Sequence, residues 1–85
     1  MQHLHYNLNL KTGDCVQVKL DKQANVRLLD NTNYQRYRRG GKHDYYGGLA
    51  TKSPFVVPAP STGNWHLVVD LGGYGGKVSA SVNII

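Results

Sequence analysis

The sequence predicts an all-β protein, a small antiparallel β-sandwich or partly open barrel of six to seven short strands. Several segments alternate apolar and polar residues with a period of two, as half-buried strands do. Glycine and proline cluster between those segments. Ala is scarce and every acidic residue is an aspartate, whereas Val, Tyr, Thr and Asn are plentiful, which favours strands and turns over helices. The 85 residues leave room for one domain, residues 1–85.

The N-terminal third contains the clearest alternation. Residues 4–10 place four apolar side chains on one face and Asn and His on the other, and residues 15–20 repeat this pattern. The four residues between these strands, Lys11 to Asp14, form a predicted turn, so we expect the two strands to pair as an antiparallel hairpin. A third strand is predicted at residues 26–29.

Periodicity disappears between Asp30, which is expected to shape a turn, and Pro54. The segment contains Gly-Gly pairs and no sustained apolar pattern, apart from a brief strand that Tyr45 and Tyr46 allow. We therefore interpret it as one long connection. Connections of this length are uncommon in compact domains and are often functional.

Strands return in the C-terminal part of the chain. Residues 55–57 lie between two prolines, which favours the edge of a sheet. Residues 65–71 form a longer strand, in which Trp65 faces the core, Val68 faces outward and Asp70 is expected to pair with an Arg or Lys across the sheet.

The last strand follows a run of glycines. Residues 72–76 are predicted to form a tight hairpin in which Tyr74 caps an edge, and residues 77–84 form the final strand. The predicted core collects the inward positions of all strands: Leu4, Tyr6, Leu8, Val16, Val18, Leu20, Val26, Leu28, Val57, Trp65, Leu67, Val69, Val78, Ala80 and Val82.

Charge and cysteine content limit the classes of partner and compartment. The formal net charge of +5 favours encounters with anionic groups, or serves solubility alone. Cys15 is the only cysteine, so no internal disulfide forms. No signal peptide or apolar run of membrane-spanning length is visible, and we expect a cytoplasmic protein without membrane contact.

The segment from Tyr34 to Tyr46 is the most distinctive part of the chain, because it combines four basic residues with four tyrosines. Arg binds phosphate or carboxylate through its planar fork, and Tyr offers a flat apolar surface. We expect this loop to bind an anionic ligand or a protein partner. Single-stranded nucleic acid is the alternative ligand, and a basic loop packed back onto the sandwich is the structural alternative. The candidate binding residues are Arg36, Tyr37, Arg38, Arg39, Lys42, His43, Tyr45 and Tyr46.

Catalytic and metal-binding interpretations have weaker support. A small enzyme could use Cys15 as a nucleophile with a histidine base, but no nucleophile-elbow motif accompanies it. His3 and His5 share a strand face that His66 could approach, yet no carboxylate or thiol stands at ligand spacing. We therefore expect no catalytic residues, no metal and no cofactor, and keep the enzyme as a second alternative.

Several strings, taken in order, resemble a bacterial family known as domain of unknown function 1883. They are Asn25–Asp30, Tyr37–Gly40, Tyr45–Gly48, Ser53-Pro54 and Gly63–Tyr74. The resemblance covers roughly residues 8–85 and implies a small sandwich-like all-β domain. It also implies occurrence alone or joined to TIR-type effector domains, which makes a sensing or partner-binding role more plausible than catalysis. It implies no catalytic residues.

Overall fold

The computed structural model describes residues 3–72 and 76–85, which contain seven strands and one helix. The elements in chain order are β1 (Leu4–Leu10), β2 (Cys15–Leu20), β3 (Ala24–Leu29), α1 (Asn31–Arg38), β4 (Tyr46–Ala50), β5 (Phe55–Pro58), β6 (Gly63–Asp70) and β7 (Ala80–Ile84). The strands form a four-stranded antiparallel sheet, β1-β6-β3-β4, and a three-stranded antiparallel sheet, β5-β2-β7. The predicted β-sandwich is confirmed.

Strand pairing differs from the hairpins that the sequence predicts. β1 pairs with β6, whereas β2 pairs with β5 and β7, so the turn at residues 11–14 carries the chain from one sheet to the other. β6 and β7 also belong to different sheets, so they do not pair as the predicted hairpin. The predicted edge-capping role of Tyr74 lies outside the described residues. Short turn spacing alone does not distinguish a hairpin from a crossover between sheets.

The core lies between the two sheets and contains the inward side chains of both. Of the predicted core, eight residues are buried: Val16, Val18, Val26, Leu28, Val57, Trp65, Leu67 and Val69. The other seven are partly buried and pack around this centre: Leu4, Tyr6, Leu8, Leu20, Val78, Ala80 and Val82. The Trp65 indole donates a hydrogen bond to the carbonyl of Ser61 at 3.0 Å, which satisfies its only polar atom. The core position of Trp65 is therefore confirmed.

The largest correction concerns the connection predicted between Asp30 and Pro54. It contains α1 and β4 instead of one long loop. Asp30 caps the helix, since its carboxylate accepts a hydrogen bond from the Asn33 backbone amide at 2.8 Å. With two turns, α1 is too short to show helical periodicity, and its eight residues include no Ala, Leu or Glu. Such a helix is stable only because it packs on the rest of the protein.

The helix α1 packs on the outer face of the four-stranded sheet. Tyr34 and Tyr37, three residues apart on one helix face, cover Leu29 and Val68 and form a second apolar cluster outside the sandwich core. Val68 does point outward as predicted, but it is fully buried because the helix covers it. The part of the outer face beneath α1 is thus buried, and the polar residues around Val68 lie beside a helix.

The edge position predicted for residues 55–57 is confirmed, since β5 forms one edge of the three-stranded sheet. Within the described part of the chain, no helix is long and apolar enough to span a membrane.

Candidate functional site

Polar and aromatic side chains gather where α1 lies on the four-stranded sheet. Alternate residues of β3 and β6 point to this outer face, and the central β6 contributes the buried carboxylate of Asp70. α1 and the segment that follows it approach from above. The site therefore combines residues that are more than 30 positions apart in the sequence.

The Asp70 carboxylate is the centre of this arrangement. Its Oδ2 accepts hydrogen bonds from Arg27 Nε at 3.0 Å and from the Tyr37 hydroxyl at 2.8 Å. Its Oδ1 accepts from Asn25 Nδ2 at 3.0 Å and from the Gly72 backbone amide at 2.9 Å. A buried charge is tolerated only when it is paired and hydrogen-bonded, and these four donors meet that requirement.

The same contacts set the protonation states. Burial alone would raise the pKa of Asp70, but the hydrogen bonds from Arg27, Asn25 and Tyr37 outweigh it and hold the pKa below its usual range. Burial and the hydrogen bond to Asp70 raise the pKa of the Tyr37 hydroxyl. Asp70 therefore stays ionised and Tyr37 stays a donor at neutral pH. The pairing with a basic residue that the sequence predicts for Asp70 is confirmed, and the partner is Arg27.

The Arg27 guanidinium lies against two aromatic rings. Its Cζ is 4.9 Å from the ring centroid of Tyr45 and 5.7 Å from that of Tyr37. His43 completes the surround, with its ring 5.2 Å from Tyr37 and 5.7 Å from Tyr45. The Arg27 side chain keeps 16 % of its surface exposed, so the guanidinium still reaches solvent. Its burial and its bond to Asp70 act in opposite directions, and the net effect raises the pKa of Arg27.

A second cluster joins α1 to β1 and β6. His5 Nε2 is 2.8 Å from His66 Nδ1, and the Tyr34 ring stacks on both imidazoles with centroid distances of 4.2 and 4.5 Å. Burial lowers the pKa of both histidines. For His5, the nearby His66, His3 and Arg38 lower the pKa further, whereas Asp30 opposes the shift at His66.

The eight residues predicted to share one loop occupy four different environments. Tyr37, His43 and Tyr45 gather around Arg27. Arg38 lies over the Tyr34 ring, with Cζ 5.8 Å from its centroid. The exposed residues Arg36, Arg39 and Lys42 form the solvent side of α1 and of the turn after it. Tyr46, the first residue of β4, packs edge-on against Trp65 with 6.0 Å between the ring centroids.

Sequence reasoning missed Arg27 and Asn25 as members of this site. The signal was present in the alternation of β3, because both residues occupy the polar positions between Ala24, Val26 and Leu28. Alternation identifies the face of the sheet but not the element that covers it. Because the sequence does not predict the helix, it predicts Arg27 to be an ordinary exposed residue.

Cys15 and the histidines, which the enzyme and metal-site alternatives invoke, lie in different sheets. Cys15 is half-buried in the three-stranded sheet, whereas His5 and His66 belong to the four-stranded one. In residues 3–72 and 76–85, no group of three or more His, Cys, Asp or Glu side chains is arranged to hold a metal ion.

Comparison with protein families gives a match over the whole chain. The family model described as domain of unknown function (DUF1883) matches residues 1–85. No curated protein and no solved structure matches the chain.

Proposed function

We propose that this chain, which belongs to the DUF1883 family, is a recognition domain that binds anionic groups through α1 and the segment up to Tyr45. The site residues are those expected from the sequence, apart from Tyr46, together with Arg27. The domain acts by binding and does not transform its ligand.

The observation that carries the proposal is a set of basic residues without acidic partners. Across residues 3–72 and 76–85, Arg27 and Asp70 form the only ion pair. Arg36, Arg39 and Lys42 are exposed on one side of the domain, and the carboxylate of Asp30 is engaged in capping α1. Anionic groups on a partner are attracted to such cations, which strengthens binding and speeds association. Both effects weaken as salt screens the charges.

A binding role also agrees with the protonation states of the site. The carboxylate of Asp70 is held by four donors and is therefore unsuited to exchange protons with a substrate. The hydroxyl of Tyr37 donates to Asp70, and its raised pKa keeps it protonated, so no phenolate is available to act as a base. These groups support orientation of Arg27 rather than acid–base chemistry.

We expect the partner to be an anionic ligand or the acidic surface of another protein, in a cytoplasmic setting. The exposed basic side of α1 is compatible with either. A TIR-type effector domain is one protein partner to test, given the expectation that arises from the sequence resemblance.

The proposal is tested by NMR titration of the labelled domain at low salt. Mixed single-stranded oligonucleotides, nucleotides and an Asp-rich peptide serve as probes. We expect amide shifts concentrated in residues 27, 34–45 and 70, with an affinity that falls as salt rises. The double substitution Arg36→Ala and Arg39→Ala should weaken binding, whereas Lys19→Ala and Lys77→Ala, which remove two exposed charges elsewhere, should not.

The titration also separates the alternatives. Binding restricted to oligonucleotides, with a steep salt dependence, would favour the single-stranded nucleic-acid function. Equal losses in the two double variants would mean that net charge alone attracts the probes and would contradict this site. The enzyme alternative that uses Cys15 is tested by Cys15→Ser, which we expect to keep full biological activity as well as all binding.

A further inference from the structure

We propose that Arg27 is the specific ligand-contacting residue of this surface and that it binds the dianion of a phosphate monoester. This inference rests on the proposed function and deepens it, because it assigns the recognition step to a residue on the sheet instead of the arginines of α1. Asp70 and Tyr45 are positioning residues that hold the guanidinium in place.

The first step of the argument is the fixed orientation of the guanidinium. Arg27 uses Nε to bind Asp70 Oδ2 at 3.0 Å, and its Cζ lies 4.9 Å from the centroid of the Tyr45 ring. Contact with a ring face engages the π side of the guanidinium and leaves its in-plane N–H donors available. An arginine that is already oriented loses little conformational freedom when it binds.

The second step concerns the donors that remain. Within the described part of the chain, the bond from Nε to Asp70 is the only hydrogen bond of the Arg27 side chain. The two Nη groups therefore offer four N–H donors on a partly exposed group. Two parallel N–H donors fit two oxygens of a phosphate or carboxylate, which is the arrangement that makes Arg selective for these groups.

The third step favours phosphate over carboxylate. Asp70 already balances the charge of Arg27, so a monoanion gains little net attraction from this pair alone. The remaining attraction comes from the wider basic surface, to which the last turn of α1 contributes Arg36 and Arg38 and the following turn contributes Lys42. Because this attraction scales with ligand charge, a phosphate dianion gains about twice as much as a carboxylate.

The aromatic surround adds one independent observation. His43 Nδ1 is 2.9 Å from the Gly41 carbonyl, while its Nε2 is shielded from solvent and has no partner among the described residues. Buried polar atoms normally have a hydrogen-bond partner, and this nitrogen lies beside the rings of Tyr37 and Tyr45. Because Nδ1–H donates to the Gly41 carbonyl, Nε2 is an acceptor, so water that accompanies the ligand, and not the dianion itself, would supply that contact.

The test uses inorganic phosphate, phenyl phosphate and a nucleoside monophosphate, each added to the labelled full chain at constant ionic strength and pH 7.5. At this pH a phosphate monoester, whose second pKa is about 6, is mostly a dianion. We expect the Nε–H signal of Arg27 and the amides of Tyr37 and Tyr45 to shift and saturate. Acetate at the same concentration should bind at least about tenfold more weakly. The two organic probes distinguish an aromatic phosphate from a nucleotide as the source of the group.

Two substitutions test the assignment to Arg27. Arg27→Lys keeps a cation beside Asp70 but removes the fork, and we expect phosphate affinity to fall at least about tenfold. Tyr45→Leu removes the ring from an exposed position outside the core, so we expect this variant to fold even where Arg27→Lys does not. Affinity should fall several-fold in Tyr45→Leu and recover in Tyr45→Phe, which keeps the ring face.

The outcomes separate this inference from the proposed function. Loss of phosphate binding in Arg27→Lys, with binding weakened but still saturable in the Arg36→Ala and Arg39→Ala double variant, supports the assignment. The opposite pattern overturns it while leaving anion recognition by α1 intact. Saturable binding of the Asp-rich peptide without any binding of the three phosphate probes also overturns the phosphate assignment, but not the binding function. Absence of binding by every probe contradicts both.

Discussion

His5 Nε2 lies 2.8 Å from Nδ1 of His66, and the ring of Tyr34 covers both imidazoles. A hydrogen bond between two imidazole nitrogens needs one proton between them, so the pair is stable only while at least one ring is neutral. Because Tyr34 belongs to α1 while the histidines belong to β1 and β6, this pair connects the helix to the sheet. The docking of α1 is thus linked to the protonation of two side chains.

The first prediction is a loss of stability on mild acidification. The pKa values of His5 and His66 are lower in the folded chain than their ordinary value of 6.5. The unfolded chain therefore binds more protons as the pH falls, and folding becomes less favourable. The contribution is fully present above pH 6.5 and is lost as the pH falls from 6.5 towards the folded pKa values. Urea denaturation at pH 7.5, 6.5 and 5.5 measures the effect.

A matched variant identifies its source. His66→Phe keeps a ring beneath Tyr34 and cannot titrate, so its stability should change less between pH 7.5 and 5.5. Identical pH profiles for this variant and the original chain would contradict the histidine explanation. Asp70 does not contribute to this effect, because its pKa is lowered in the folded chain. Its contribution to stability is lost only when the pH falls below 3.8.

The second prediction concerns the ion pair. Asp70→Ala leaves Arg27 partly buried without its carboxylate and removes the acceptor of Asn25 and Tyr37. We expect the free energy of unfolding to fall by about 3 kcal/mol, as for other broken buried pairs. Asp44→Ala, at an exposed position, should change it by less than about 0.5 kcal/mol. Equal effects in urea denaturation would show that the Asp70 network is dispensable.

The third prediction addresses the attachment of α1. Tyr34 is the buried residue of the helix, and truncation to Ala should destabilise the protein by about 3 kcal/mol. Hydrogen exchange should accelerate most in α1, whereas the amides of β2 and β7 should keep their protection relative to global unfolding. Thr32→Ala, which removes an exposed side chain from the same helix, is the control. Uniform acceleration throughout the chain would mean that α1 does not open separately.

The fourth prediction concerns Gly47 in β4. Its φ of +121° disfavours any side chain, and a Cβ there would overlap the carbonyl oxygen of Val26 on the neighbouring strand. Gly13 also has a positive φ, +98°, but open space around its missing Cβ. Gly13→Ala should therefore cost about 1 kcal/mol from backbone strain alone. Gly47→Ala should cost more, and thermal unfolding of both variants compares them. Equal costs would contradict the steric argument.

The sequence predicts the sandwich well because period-two alternation directly reports which face of a strand is buried. Val16, Val18, Val26 and Leu28 follow that pattern and occupy the core. Sheet membership is a different matter, because alternation carries no information on which strands pair. The separation of β1 from β2 depends on contacts between distant parts of the chain.

The site was only partly predictable for a related reason. Tyr37, His43 and Tyr45 stand out by composition, and the structure places them together. Arg27 does not stand out, because its role depends on a helix that covers the outer face of β3. That helix has eight residues, of which only Tyr34 is buried, and its stability comes from packing that local sequence does not encode.

The position of α1 between β3 and β4 has a consequence for how freely this surface can change. β3 and β4 are neighbours in the same sheet, so both ends of the connecting segment are fixed at the spacing of adjacent strands. Doubling the length of a flexible connection costs only about 0.6 kcal/mol in closure entropy. Segments of different length and sequence can therefore join β3 to β4 while every strand keeps its partner, provided that they still cover Leu29 and Val68. The sandwich therefore fixes the two ends of a segment whose length and sequence can vary. New binding specificities can be grafted at this place between two fixed strands.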